Sequence, residues 1–437
     1  MKTTPLFLSI ALLLVSSMVL AQKLKREESQ ILKSIERNYP ISVKILEETV
    51  NVNSGTQNIQ GVKQVGIIYK KILDELGFTT RWVDMPASMK RGGHLIGEIK
   101  GKKGKRVLLI GHMDTVFEPT GSTDGWKMMD SIAMGPGSND MKGGNMVMLM
   151  ALKALNENDM LKDRNIIVIL HGDEESAGRP LDISRSDIIE AAKRSDVALC
   201  FETGTGFREA TVARRGSSGW RLTVTGRQAH SAGIFSKNTG GGAIYEASRV
   251  LTRFYSELQE EYLTFNPGMI AGGTQVELDS SGTARVSGKS NIVANTATVT
   301  GDLRFISEEQ KARTHEKMKK IVSESLPVTS AEITFTDSYP SMPPTDGNMA
   351  VLQELSKVST DLGQGEVKPY NPGLRGAGDI SFIAQYVDCL DGLGPLGGRA
   401  HAPGEFVDLK SLLNIEKRTA LLVYRLTNQN IHIENKK

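Results

Sequence analysis

Two cysteines, Cys200 and Cys389, are all that the 437 residues contain. A disulfide-stapled scaffold is therefore excluded, and the sequence leaves undecided whether these two are bridged. Aromatic residues make up only 5% of the chain, too few for a stacking platform that reads nucleic-acid bases or sugar rings. Charge of one sign is scarce as well. The 53 basic and 50 acidic side chains leave a formal net charge of +3, too little to steer the whole molecule toward nucleic acid or an anionic membrane. Beyond the N-terminal segment no apolar run approaches the roughly 20 residues of a membrane helix, and there is no internal repeat or low-complexity tract. What is plentiful is core-forming material, with 39% hydrophobic and 24% charged residues. At roughly 100–200 residues per domain, the length predicts two or three globular domains.

The N-terminus combines Lys2, an apolar run from Leu6 to Val15, Ser16 and Ser17, and Val19-Leu20-Ala21 before Gln22. That layout predicts a signal peptide over residues 1–21, hence an exported protein, periplasmic or secreted, with no membrane anchor after cleavage. Residues 23–50 have helical spacing interrupted by Pro40, which predicts two helical pieces; Gly61–Leu76 predicts another amphipathic helix. Then come three short, continuously apolar runs, Arg106–Gly111, Asn165–Leu170 and Asp196–Phe201. Continuous apolarity is what strands buried on both faces need, so the fold class is α/β with a mostly parallel sheet covered by helices. From about residue 215 the pattern changes to alternation in Trp220–Thr225, a helix through Ala243–Leu258, strands at Thr274–Leu278 and Asn291–Phe305, a charged helix Ser307–Leu326 and a strand Ala331–Phe335. Strand, helix, strand, strand, helix, strand is the order of a ferredoxin-like sandwich. The expected division is a catalytic domain in two parts, 22–214 and 336–437, with residues 215–335 inserted between them; a closing helix is expected from Leu409 to about Leu426.

The residues that follow the apolar runs carry the chemistry. The first run leads into His112-Met113-Asp114, the second into His171-Gly172-Asp173-Glu174-Glu175, the third into Glu202. Ligands of open parallel sheets bind beyond the carboxyl ends of the strands, where such residues converge. Asp140, in Gly135–Gly144, precedes an apolar helix from about Met146, and a carboxylate is favoured near a helix start. A pair of divalent ions needs imidazole and carboxylate ligands with one carboxylate able to bridge. His112, Asp140, Glu175, Glu202 and His401 meet that demand, because three carboxylates and one hydroxide balance two Zn2+. Adjacent Glu174 and Glu175 would divide the labour between general base and ligand. His94, His171, His315 and His432 read as structural.

Gly111-His112-Met113-Asp114-Thr115-Val116, Asn139-Asp140-Met141-Lys142-Gly143, Asp173-Glu174-Glu175, Phe201-Glu202 and Gly226-Arg-Gln-Ala-His230-Ser231-Ala-Gly233 resemble, in order and spacing, the di-zinc exopeptidase family of glutamate carboxypeptidase, aminoacylase and dipeptidase enzymes. The likeness covers essentially the whole mature chain and is strongest to the glutamate carboxypeptidase branch, through Phe201-Glu202 and Ser290-Asn291-Ile292-Val293. The resemblance implies a zinc-hydrolase domain with an inserted lid and dimerisation domain. It implies that His112 and Glu202 hold one zinc, Glu175 and His401 the other, and Asp140 bridges them, other divalent ions being able to substitute. Asp114 would orient His112 and Glu174 would be the base. His230 looks like the donor to the tetrahedral oxyanion, reached across a homodimer, and Asn291, Arg304 and Arg375 like contacts for a substrate carboxylate. A cis peptide is expected at Asp140-Met141. The chain departs from the family at Gly172, where Thr or Ser is common, and at Gly378, where Ser is common. The implied reaction is hydrolysis of a C-terminal amino acid, glutamate being one option, from peptides or N-acyl amino acids by a metal-bridging hydroxide. An aminoacylase or dipeptidase is the alternative within the family, and a catalytically dead peptide-binding protein the alternative outside it.

Overall fold

The computed structural model describes residues 24–119, 125–279 and 282–429. The signal-peptide segment and His432 lie outside the described residues. The central sheet has six strands in the order Thr79–Val83, His94–Ile99, Arg164–His171, Lys103–His112, Val197–Cys200, Asp388–Leu390. The last four run parallel and the first two are antiparallel additions at one edge. Both faces are covered. Leu95, Val107, Leu109, Val168, Leu170 and Leu199 pack against the long helices Arg26–Val50, Lys142–Asn156 and Leu409–Leu426. Ile96, Leu108, Ile110, Ile167, Ile169 and Cys200 pack toward Ile188, Ala191 and Ala192 of the helix Ser186–Ala192. Two-sided burial accounts for the continuous apolar runs. Cys200 and Cys389 are buried thiols on adjacent strands, Cys389 standing opposite Ala198.

Pro40 does not divide the first helix, contrary to expectation: Arg26–Val50 is a single helix with Pro40 inside it. The reason is tertiary. Buried Ser34, Ile35, Asn38, Ser42 and Leu46 flank the proline on both sides, and Tyr39 and Ser42 hydrogen-bond to Leu409 and Glu416 of the closing helix. That docking offsets one missing backbone hydrogen bond.

The inserted unit is an antiparallel sheet in the order Thr264–Gly273, Thr296–Phe305, Gly216–Gly226, Thr329–Asp337. The helices Gly242–Glu257 and Glu308–Ser323 share a separate core with it, including Trp220, Leu222, Val224, Val250, Phe254, Val299, Met318 and Ile321. The ferredoxin-like order stands, with one strand reassigned. The second strand is Thr264–Gly273, whose Asn266-Pro267-Gly268 segment carries a register shift that hides the alternation. Gln275–Leu278 instead pairs with Ala284–Ser287 in a hairpin outside that sheet. The chain enters and leaves the unit side by side, through Arg214 opposite Met342 and through Ser217 hydrogen-bonded to Tyr339 and Ser338.

Candidate metal centre

His112 ends the strand Lys103–His112 in register with His171 of its parallel neighbour, and Asn145 donates to its carbonyl oxygen at 2.6 Å. Glu202 follows the next parallel strand, while Glu174 and Glu175 follow Arg164–His171. Sheet register alone therefore delivers these groups to one edge. Asp140 comes from the turn before the helix Lys142–Asn156, and its peptide bond to Met141 is cis, as the resemblance implied. His401 comes from the turn between Gly397–Gly398 and Phe406–Asp408.

The side chains meet in two groups that share Asp140. His112 Nε2 lies 3.3 Å from Asp140 Oδ1 and 3.6 Å from Glu202 Oε1. His401 Nε2 lies 3.2 Å from Asp140 Oδ2 and 3.0 Å from Glu175 Oε2. In each group the ligand atoms fall within 4.8 Å of one another. His112, Asp140 and Glu202 are buried, whereas the His401 side chain is 57% exposed and forms the open side. Burial, followed by the Asp140 charge, pushes the Glu202 carboxyl up to about 7, and burial raises Glu175 as well. Glu174 is raised well above the usual range by burial, then by the charges of Glu202 and Asp379. His401 is pushed up to about 11 by its hydrogen bonds to Asp140 and Glu175. For His112, burial opposes the cation, but hydrogen bonds to Asp114 and Asp140 win and raise it. Crowded carboxylates of this kind demand positive charge, and Glu175 Oε1 is buried with no hydrogen-bond partner among the described residues. Two imidazoles and three carboxylates, one of them shared, suit a pair of divalent ions.

Asp114 does more than orient His112. The imidazole Nδ1 is nearer the Asp114 carbonyl, at 3.0 Å, than its carboxylate, at 3.4 Å. The carboxylate accepts from the backbone N–H of Glu174 at 3.0 Å and of Glu175 at 3.1 Å, and from the Thr56 hydroxyl at 2.6 Å. It therefore ties the His112 strand end to the turn bearing the two glutamates. Behind that turn, Arg185 bridges Asp173 and Asp379, and His171 pairs with Asp379. His94 bonds Asp173 and packs against the His171 ring at 4.3 Å. His94 and His171 thus serve the scaffold; His315 stacks on Phe335 at 3.7 Å.

The expected substrate contacts divide. Arg375 donates to Thr203 Oγ1 and Thr203 O at 3.3 and 3.1 Å, beside Glu202, and its Nε is buried without a hydrogen-bond partner among the described residues. Burial and then neighbouring Arg214 lower its pKa. Arg304 lies on a strand of the inserted unit, bonded to Asp302 at 2.7 Å. His230 and Asn291 are exposed on one paired loop of that unit: His230 bridges to Ile292, and Asn291 O accepts from Ser231 N. Sequence reasoning passed over Glu405, whose carboxylate accepts from the Asp140 turn. Its signal was a lone acid four residues beyond His401.

A family model described as "Peptidase family M20/M25/M40" matches residues 108–425. Carboxypeptidase G2 of Pseudomonas sp. (strain RS-16) is 28% identical over 361 residues, 81% of this chain and 82% of that protein. Among solved structures, the aminopeptidase PepT from Bacillus cereus superposes with a TM-score of 0.70 at 19% identity, covering 89% of this chain and 99% of that one. Bacillus subtilis YXEP, titled a dinuclear metal binding peptidase, gives a TM-score of 0.59 at 15% identity, covering 90% and 100%. The matched span runs from the strand bearing His112 to the closing helix and takes in every residue of the two ligand groups; the chain belongs to peptidase family M20/M25/M40 and is a metallopeptidase with carboxypeptidase relatives.

Proposed function

We propose that the chain is an exported di-zinc exopeptidase of the carboxypeptidase type, which removes a C-terminal amino acid, glutamate among the candidates, from peptides or N-acyl amino acids. The observation that carries the reading is one carboxylate, Asp140, shared by two imidazole-carboxylate groups, with Glu174 beside them as an acid of raised pKa. His112 and Glu202 would hold one ion, Glu175 and His401 the other, and Asp140 both. A pair of divalent ions bound there would lower the pKa of a water toward neutrality and polarise the scissile carbonyl. Glu174 takes the proton of the attacking water and returns it to the leaving nitrogen. Arg375, with Arg304 and Asn291 from the lid, pairs with the substrate's free carboxylate, which puts the last peptide or amide bond within reach of Glu174. His230 donates to the developing oxyanion.

His230 is exposed, and Ile244, Tyr245 and Ile270 are exposed apolar side chains of the same unit, at 46%, 53% and 56%. These features support a homodimer in which the lid of one subunit serves the other's site. His230→Ala and Glu174→Ala proteins, unfolded and refolded together, should recover activity in mixed dimers. No recovery in demonstrated mixed dimers would place His230 in its own chain's site.

The substrate reading is tested with a panel of C-terminal glutamyl peptides, N-acyl amino acids and dipeptides, with metal analysis of the same preparation. Two zinc ions per chain and preferential release of the C-terminal residue are expected. At most one ion in fully active enzyme would overturn the paired site. Turnover of free dipeptides alone would replace a carboxypeptidase with a dipeptidase, and no turnover with zinc restored after chelation would mean a peptide-binding protein.

A further inference from the structure

Two turns from distant parts of the chain supply Asp140 and His401, and one side chain joins them. Glu405 is 1% exposed. Its Oε2 accepts from Gly137 N–H at 2.7 Å, and its Oε1 accepts from Asn139 N–H at 2.8 Å and from Asp140 N–H at 2.7 Å. Its own carbonyl oxygen accepts from Gly135 N–H at 2.9 Å. Four hydrogen bonds thus bind the segment 135–140 to the residue that closes the His401 turn. That turn has little to stabilise it from within. Arg399 and His401 both sit at left-handed φ, 58° and 62°, a region that costs a non-glycine residue, and the His401 side chain is mostly exposed. The short strands on either side continue the join, because Phe406 pairs with Met134 immediately before the 135–140 segment.

We infer that Glu405 is a positioning residue: it latches the Asp140 turn to the His401 turn, so that two of the three ligands of the outer ion, one of them shared with the inner ion, arrive as one rigid piece. This rests on the metal reading above. The carboxylate touches no substrate and acts only through the two turns. A glutamine in its place keeps the shape but has one acceptor oxygen where two serve three N–H donors, and its amide group would face a donor.

The test uses the full-length protein, stripped of metal and titrated with zinc against a chromophoric chelator, alongside thermal unfolding of the metal-free form. Glu405→Gln should weaken at least one of the two zinc-binding steps by about 10–100-fold, the range for partners that hold metal ligands in place. Adding Glu405→Gln to His401→Ala should cost less further zinc affinity than adding it to His112→Ala, since the latch and the His401 imidazole serve the same ion even though Asp140 is shared. A purely structural Glu405 would lower the metal-free melting temperature and leave both zinc steps within twofold of the parent, and that result overturns the inference. If Glu405→Gln does not fold, Glu405→Asp keeps the charge with a shorter reach; it should weaken the same step by a smaller factor, and unchanged steps would again overturn the latch. A parent chain that binds at most one zinc, or a His401→Ala protein that keeps both, would overturn the metal reading itself, an outcome distinct from failure of the latch.

Discussion

The metal centre and the lid loop are built on different principles. Ile166–His171 is buried without interruption, and in the lid Trp220, Leu222 and Val224 are buried while Arg221, Thr223 and Thr225 are exposed. A strand buried on both faces has its register fixed from two sides, so the groups at its carboxyl end stand at fixed places relative to neighbouring strand ends. His112, Glu174, Glu175 and Glu202 occupy such places. His230 and Asn291 hang from a sheet packed on one face, and their position over any metal pair depends on where the whole lid sits. The candidate ligands and Glu174 thus stand on the rigid body, whereas His230 and Asn291 stand on a part whose position another contact decides.

The contrast sets the order of expected effects. The largest comes from the shared ligand: Asp140→Asn should release both ions and take activity to the detection limit, and metal analysis that finds two ions retained would break the assignment. Next, Glu174→Gln should keep its metal while kcat falls by about 10²–10⁴; wild-type turnover would remove it as the base. His230→Ala, in the lid, should lower kcat by about 10²–10³ with metal content unchanged, and loss of metal in that variant would erase the distinction between body and lid. Arg375→Ala should raise KM by about tenfold or more with a smaller change in kcat. If Arg304→Ala raises KM further than Arg375→Ala, the lid rather than the body dominates carboxylate binding.

The smallest effect lies away from the site, where the body's helices pack. Glu416 is buried against Ser42, and burial pushes its carboxyl up to about 8. A folded-state value above the unfolded one means that the native state holds the proton more tightly. The stabilising contribution is therefore full below the ordinary carboxylate range and is lost as pH rises toward 8. Glu416→Gln should raise the melting temperature at pH 9, by the equivalent of about 1–3 kcal/mol, with a much smaller difference at pH 5. Equal melting temperatures at pH 9 would show that burial does not penalise the ionised Glu416 carboxylate.

Several features of the fold were legible because local pattern and tertiary role coincide. The closing helix, expected from Leu409 to about Leu426, spans Leu409–Leu426, where its apolar face is periodic and Asp408 caps it. Two features misled. Pro40 is a helix breaker in isolation, and only docking against the closing helix keeps Arg26–Val50 whole. The shift between Pro267 and Met269 erased the period-two signal of the true second lid strand and left Gln275–Leu278 as the more strand-like run. In the candidate site, the convergence of His112, Asp140, Glu175, Glu202 and His401 was legible because their residue types are costly to bury without a cation and because three of them follow apolar runs. The role of Glu405 was not legible, since its partners are backbone N–H groups, which carry no residue identity.

The sequence by itself determined the alternation of doubly buried and singly buried strands, the inserted unit and the identity of the metal-seeking side chains, because burial periodicity and residue chemistry are written one residue at a time. Only the tertiary structure decided the distances at which the two ligand groups meet at Asp140, that the Asp114 carboxylate holds the glutamate turn more than the His112 ring, and that Arg375 lies by the cluster. Each of those is a distance between segments far apart in the chain, set by how sheet, turns and lid pack, and no local pattern encodes it.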